Sequence, residues 1–173
     1  MSGLRRFCWP LLCAVLAAIA VQPLVFVVVA LWPALIDGEV SADELLSIGL
    51  TVMAVAGAVV LLLGLPAFFL LRRLGRAGPV GLGTVGFLIP AVIVAWLGWP
   101  GGTASSGYSS GGNWHGHPVE FFINGHATLY GWLEYGESIM RYGLHGLTGA
   151  LAFGAIWQRL AEPHEVLAGG RRP

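Results

Sequence analysis

The stretch "LEYGESIMRYGLHGLTGALAFGAIWQRL", Leu133 to Leu160, decides how many times this chain crosses a membrane. Glu134, Glu137, Arg141 and His145 recur every three or four residues, so a helix lines them along one side. Roughly three uncharged turns follow before Arg159. At about 1.5 Å per residue, Arg141 lies about 27 Å from Arg159, close to the thickness of a bilayer core. The spacing therefore predicts a span over 139–157, with its acid, base and imidazole stripe at one membrane face.

The remaining chain supports that setting. Hydrophobic residues make up 56% of the 173 positions and charged residues 10%, with a mean hydropathy of +0.76. Soluble domains carry roughly 25% charge, so the composition is that of an integral membrane protein. Nine basic and nine acidic residues cancel. Nucleic-acid binding, which needs clustered cations, is not expected. Cys8 and Cys13 fit neither a zinc spacing nor a C-x-x-C pair and read as apolar fillers.

A span needs about 20 apolar residues. Three further runs qualify: 11–35, broken by Pro23; 45–71, long enough to tilt; and 80–99, with Pro90 inside it. Arg5 and Arg6, then Arg72, Arg73 and Arg76, then Arg159, Arg171 and Arg172 flank the same side of these runs. Asp37, Glu39, Asp43, Glu44, Glu120, Glu134 and Glu137 fall on the other side, with Arg141 alone among them. The positive-inside rule makes both termini cytoplasmic. Trp32, Trp96 and Trp99 mark an outer interface, Trp9 and Trp157 an inner one, and all four tyrosines lie outside. The N-terminal "RRFCWPLLCAVLAAIA" also fits a signal peptide, but its apolar run continues to spanning length and reads as an anchor. The expected fold is all-α: a four-transmembrane-helix bundle forming one domain over 1–173, with an additional interfacial helix on the outer side.

The outer loop, 100–138, begins with the flexible-looking "GGTASSGYSSGGNWHG". Its "GYSSG" fits the G-x-S-x-G pattern around Ser109, but in a glycine- and serine-rich tract without a strand–turn–helix context the match carries no catalysis. From Pro118 the mixed aromatic and polar residues read as the interfacial helix, bent at Gly125, Gly131 or Gly136. His115 and His117 would point the same way in an extended loop. With Glu120 or His126 they could grip a divalent transition metal; the alternative is polar residues in a wet loop. No other cofactor is implied.

On the helical wheel the stripe is opposed by Gly143, Gly146, Ala150 and Gly154, small residues that let helices approach closely in lipid. Either this small face packs inside the bundle and the stripe meets headgroups, or the stripe lines a cavity and the small face pairs with a second copy. The surface depth of Arg141 favours the first. The other spans offer only Gln22, Thr51 and Thr84, so no charged residue is expected near the midplane for a proton relay or cation path.

"GLPAFFLLRRLGRAG" (Gly64 to Gly78) and "GLTGALAFGAIWQRL" (Gly146 to Leu160) resemble segments of small four-span bacterial inner-membrane proteins of uncharacterised function. The resemblance covers the ends of spans two and four; it implies that membrane and no activity. The layout is also similar to that of disulfide-forming membrane oxidoreductases, but the outer loops hold no cysteine, which excludes that chemistry. The expected function is non-enzymatic, exerted through a membrane protein partner, a homodimer or lipid. Transport of an ion or small solute and outer-side metal binding are the alternatives.

Overall fold

The computed structural model describes residues 2–31, 35, 40–101 and 107–161, with backbone alone for 2–6. Trp32, Asp37, Glu39, His164, Arg171 and Arg172, which bear on orientation, lie outside the described residues, and so do the side chains of Arg5 and Arg6. The described chain is mainly helical: α1 (Ser2–Ala20), α2 (Gln22–Phe26), α3 (Ala42–Val59), α4 (Leu65–Arg73), α5 (Pro79–Leu97) and α6 (Leu129–Ala161). Three strands, β1 (Ser110–Trp114), β2 (His117–Ile123) and β3 (His126–Ala127), interrupt the series.

Proline and local chemistry set the helix breaks. A single turn residue, Val21, separates α1 from α2, and Pro23 then sits at the start of α2, where its missing N–H leaves no bond unmade. Before Pro66 the backbone widens into a π turn over Val60–Gly64, with the Leu65 N–H reaching back to the Val60 carbonyl. The wider turn makes room for the proline ring, a common cause of such bulges. Ser41 starts α3 through a capping box with Glu44.

Three helical stretches are long and apolar enough to cross a membrane: Phe7–Leu31, Ala42–Arg73 and Pro79–Leu97. The fourth run is not among them, because its polar stripe and glycines dilute the apolar signal. It forms the last part of the 33-residue helix α6. Most side chains of Ala42–Arg73 are uncovered, Leu46, Leu50 and Leu62 at 63%, 59% and 73% exposure. An apolar surface of that extent is untenable in water and ordinary against lipid.

The chain divides into two compact units, the first holding residues 1–87 and 145–173, the second 88–144. In the first, Ala14, Val15, Ala18, Phe68, Leu82, Phe153 and Trp157 form the core. Phe68 meets Phe153 and Trp157 edge-on, with centroids 4.8 and 5.0 Å away. Trp157 is therefore not a belt residue facing the interface: it is 7% exposed and packed among rings, whereas Trp9 is 64% exposed. An indole faces lipid only when no neighbour covers it, and here α1 and α4 do.

The second unit corrects the all-α expectation. Its strands make an antiparallel sheet in the order β1-β2-β3. His115–Gly116 and Asn124–Gly125 form the two-residue loops, each with positive φ at both positions (50° and 86°, 50° and 82°). Positive φ at both loop residues is the mark of the I′ hairpin turn, which Asn-Gly favours because glycine bears no Cβ and asparagine tolerates that region. One such turn on each side of β2 folds 110–127 back twice, so the helix expected from Pro118 cannot form. Ser110 faces Phe122 while Gly111 faces Glu120, and the bulge so created turns both Phe121 and Phe122 partly inward.

Candidate functional site

The polar stripe of α6 separates into two networks. In the second unit, Glu137 holds one carboxylate oxygen 2.8 Å from the Arg141 guanidinium and the other 3.1 Å from His115 Nε2. The i, i+4 spacing puts Arg141 in reach of Glu137. His115 reaches Glu137 because the I′ turn projects it from the hairpin. Burial alone would raise the Glu137 carboxyl, but the hydrogen bond and charge of Arg141, then the charge and hydrogen bond of His115, outweigh it. The net result lies below the ordinary carboxylate value. Glu134 is apart from this cluster and accepts a long 3.5 Å bond from Ser138.

Hydrogen bonds fasten the hairpin to the start of α6. The Thr128 hydroxyl accepts from the Gly131 N–H at 3.2 Å, capping the helix, and donates to the Glu120 and Phe121 carbonyls. Its own N–H bonds the Phe121 carbonyl at 2.9 Å. A Cβ on Gly131 would stand 2.5 Å from that same carbonyl oxygen, so only glycine allows this approach. Ser109, the centre of the G-x-S-x-G match, accepts from the Asn124 N–H at 3.1 Å and fixes the second turn. An aromatic group anchors the helix nearby: Trp99, Trp132 and Tyr135 meet edge-on, and the Tyr135 hydroxyl donates to the Ala95 carbonyl at 2.8 Å.

The histidines considered for metal binding are separated by the hairpin. His115 occupies the turn and faces Glu137; His117, Glu120 and His126 are exposed on the strands. His117 and Glu120 are three apart on β2, an odd offset that sends their side chains to opposite faces. Among the described residues, no group of three or more His, Cys, Asp or Glu is placed to hold a metal ion.

The second network lies in the first unit and joins α2 to α6. Gln22, 7% exposed, is the buried polar side chain of the described residues. Its amide nitrogen donates to the carbonyls of Ala18 and His145 at 3.3 and 3.1 Å, and its oxygen meets His145 Nδ1 at 2.8 Å. Thr148 adds a 3.0 Å bond to the same His145 carbonyl. A Cβ on Gly149 would come within 2.6 Å of the Gln22 nitrogen and drive the amide off these bonds. His145 thus turns toward α2 and is half-buried there. Sequence spacing has no means of finding Gln22 as its partner, 123 residues away.

The small face packs within the chain. A Cβ on Gly86 of α5 would meet the Ala150 Cβ and stand 2.7 Å from the Gly146 carbonyl oxygen, while Gly154 lies against Leu82. Gly143 is buried in the second unit. Comparison with protein-family models, curated proteins and solved structures returned no match, so no family is assigned to the chain.

Proposed function

We propose that this chain is a multi-pass protein of a bacterial inner membrane, with α6 as a fourth span and both termini cytoplasmic. It works without catalysis, by presenting its hairpin on the outer side to a protein partner. The observation that carries this reading is the fastening of the hairpin to α6 through Thr128 and through His115–Glu137–Arg141. A hairpin held at both its base and its turn is preorganised, and preorganisation is what makes a small surface bind well. Ile123 and Tyr108, 44% and 48% exposed, are its apolar contact points.

A photo-reactive residue at Ile123, activated in intact cells, tests the reading. One defined protein adduct is expected, weakened when Gly131→Ala or Glu137→Gln loosens the hairpin. Adducts with lipid alone would refute it. Cysteines at Ser109 and Ala77, in a background lacking Cys8 and Cys13, test orientation: only Ser109 should react with an impermeant thiol reagent.

A second reading, transport of a small solute or ion, draws support from the Gln22–His145 pair, since polar groups within spanning helices are functional suspects. Solute flux in liposomes, abolished by Gln22→Leu, would favour it.

A further inference from the structure

The first unit bears a concentration of cation that neither reading uses. Arg72 and Arg73 end α4, Arg76 follows in the next turn, and Arg159 lies two residues past Trp157 in α6. Arg72 is not a loose surface side chain. Its guanidinium carbon sits 5.1 Å from the Phe7 ring and 5.2 Å from the Trp157 ring, and those rings meet each other edge-on at 5.3 Å. Those three separations place both rings on one side of the guanidinium, where their faces attract the cation and leave N–H groups on its other side for a planar, two-pronged acceptor. Phe7 and Trp157 come from α1 and α6, so three helices fix the position of one cation.

Among the described residues, the ion pairs are those of Glu137 with Arg141 and His115, and no acid pairs with Arg72, Arg73, Arg76 or Arg159. Asp43 and Glu44, the described acids of this unit, occupy the first turn of α3, at the other end of the Ala42–Arg73 stretch. Depth identifies the missing partner. The apolar run of α4 ends at Leu71, directly before Arg72 and Arg73, so on the membrane reading these two lie where hydrocarbon gives way to headgroups. Arginine and a phosphate oxygen pair match in geometry and in charge.

We propose that Arg72, held by Phe7 and Trp157, forms with Arg73 a binding site for the phosphate of an anionic phospholipid. Phe7 and Trp157 position the cation, Arg73 adds charge, and the apolar flanks of α1 and α4 receive the acyl chains. The site depends on the membrane reading of the chain and is independent of its orientation and of any partner of the hairpin.

Native mass spectrometry of the delipidated full chain in neutral detergent tests it, with phosphatidylglycerol and phosphatidylcholine as probes. Phosphatidylglycerol should bind the tighter. At roughly a factor of five for each arginine near the surface, the Arg72→Gln/Arg73→Gln variant should lose about 30-fold of that preference. Phe7→Leu should weaken phosphatidylglycerol binding with every charge kept, because the cation–π contact that positions Arg72 is lost. Arg72→Lys, which also keeps the charge, should recover only part of the affinity and serves if the glutamine variant fails to fold. Millimolar inorganic phosphate should not compete. Equal binding of the two lipids, or an unchanged preference in the arginine variants, would overturn the proposal. Full competition by inorganic phosphate would overturn the lipid as its ligand.

Discussion

Arg141 and His145 are four residues apart on α6, and each is a basic side chain joined to a polar partner, yet their surroundings differ. Glu137 and Arg141 keep about a third of their side chains in solvent, and water screens what they gain from each other. Gln22 is buried and meets a half-buried His145 among apolar helices, where an amide without its partner bears a full desolvation cost. The same helical spacing thus makes a weak clamp in one place and a strong, exacting contact in the other. Sequence period says which residues share a side. It does not say what covers that side.

The largest effect that would sharpen this contrast comes from the contact next to the buried pair. Ala150→Leu pushes into Gly86 of α5, which already lies close against Ala150 and cannot yield without moving a backbone. Overpacking there should cost about 3 kcal/mol and lower the melting temperature in detergent clearly. Next, Gln22→Leu should cost about 2 kcal/mol, since it removes a buried amide together with its bonds to the half-buried His145. A neutral result would mean that the pair is as solvated as the clamp.

Two glycines of α6 supply a finer test in the second unit. Alanine normally favours a helix over glycine by about 1 kcal/mol. A Cβ added at Gly136 would enter open space, with nothing within 4 Å, so Gly136→Ala should stabilise by about that amount. Gly131→Ala should destabilise by about 1 kcal/mol instead, because the clash with the Phe121 carbonyl exceeds the helix gain, and hydrogen exchange should quicken in the hairpin amides. Opposite signs at the two positions are the expected result; equal signs would detach the hairpin from α6.

The smallest effect belongs to the clamp. Glu137→Gln should cost less than about 1 kcal/mol at neutral pH, as for other half-exposed ion pairs. Its pH dependence is more telling. The folded carboxyl titrates below its ordinary value, so its contribution is complete above the unfolded carboxylate range and is lost as pH falls through the folded value. Melts of the parent chain and of Glu137→Gln should therefore converge in acid. A gap that widens as pH falls would contradict the geometry.

The helical body is readable because long apolar runs have few alternatives to helix, and the three strongest runs are the three stretches capable of spanning. The i, i+4 pair of Glu137 and Arg141 is equally local. The hairpin is readable in principle from Asn124–Gly125, but the aromatic and polar mixture around it equally matches an interfacial helix, and that match prevails when only local pattern is weighed. His115 with Glu137, 22 residues apart, and Gln22 with His145, 123 apart, are not legible, since no local pattern encodes a contact that only tertiary folding creates. The small face of α6 is visible in the sequence, but its partner Gly86 is not. Trp157 shows the same limit: a tryptophan at a helix end reads as facing lipid, where α1 and α4 in fact cover it.

The absence of a side chain at Gly149 has a consequence for how this sequence can vary. Positions 22, 145 and 149 form one linked set: the amide requires the glycine, and it bonds the histidine. In a divergent copy of the gene, an apolar residue at 22 releases 149 to become alanine or larger and removes one bond that favours histidine at 145. Substitutions at these three sites should therefore be inherited together, across 123 positions of otherwise independent drift.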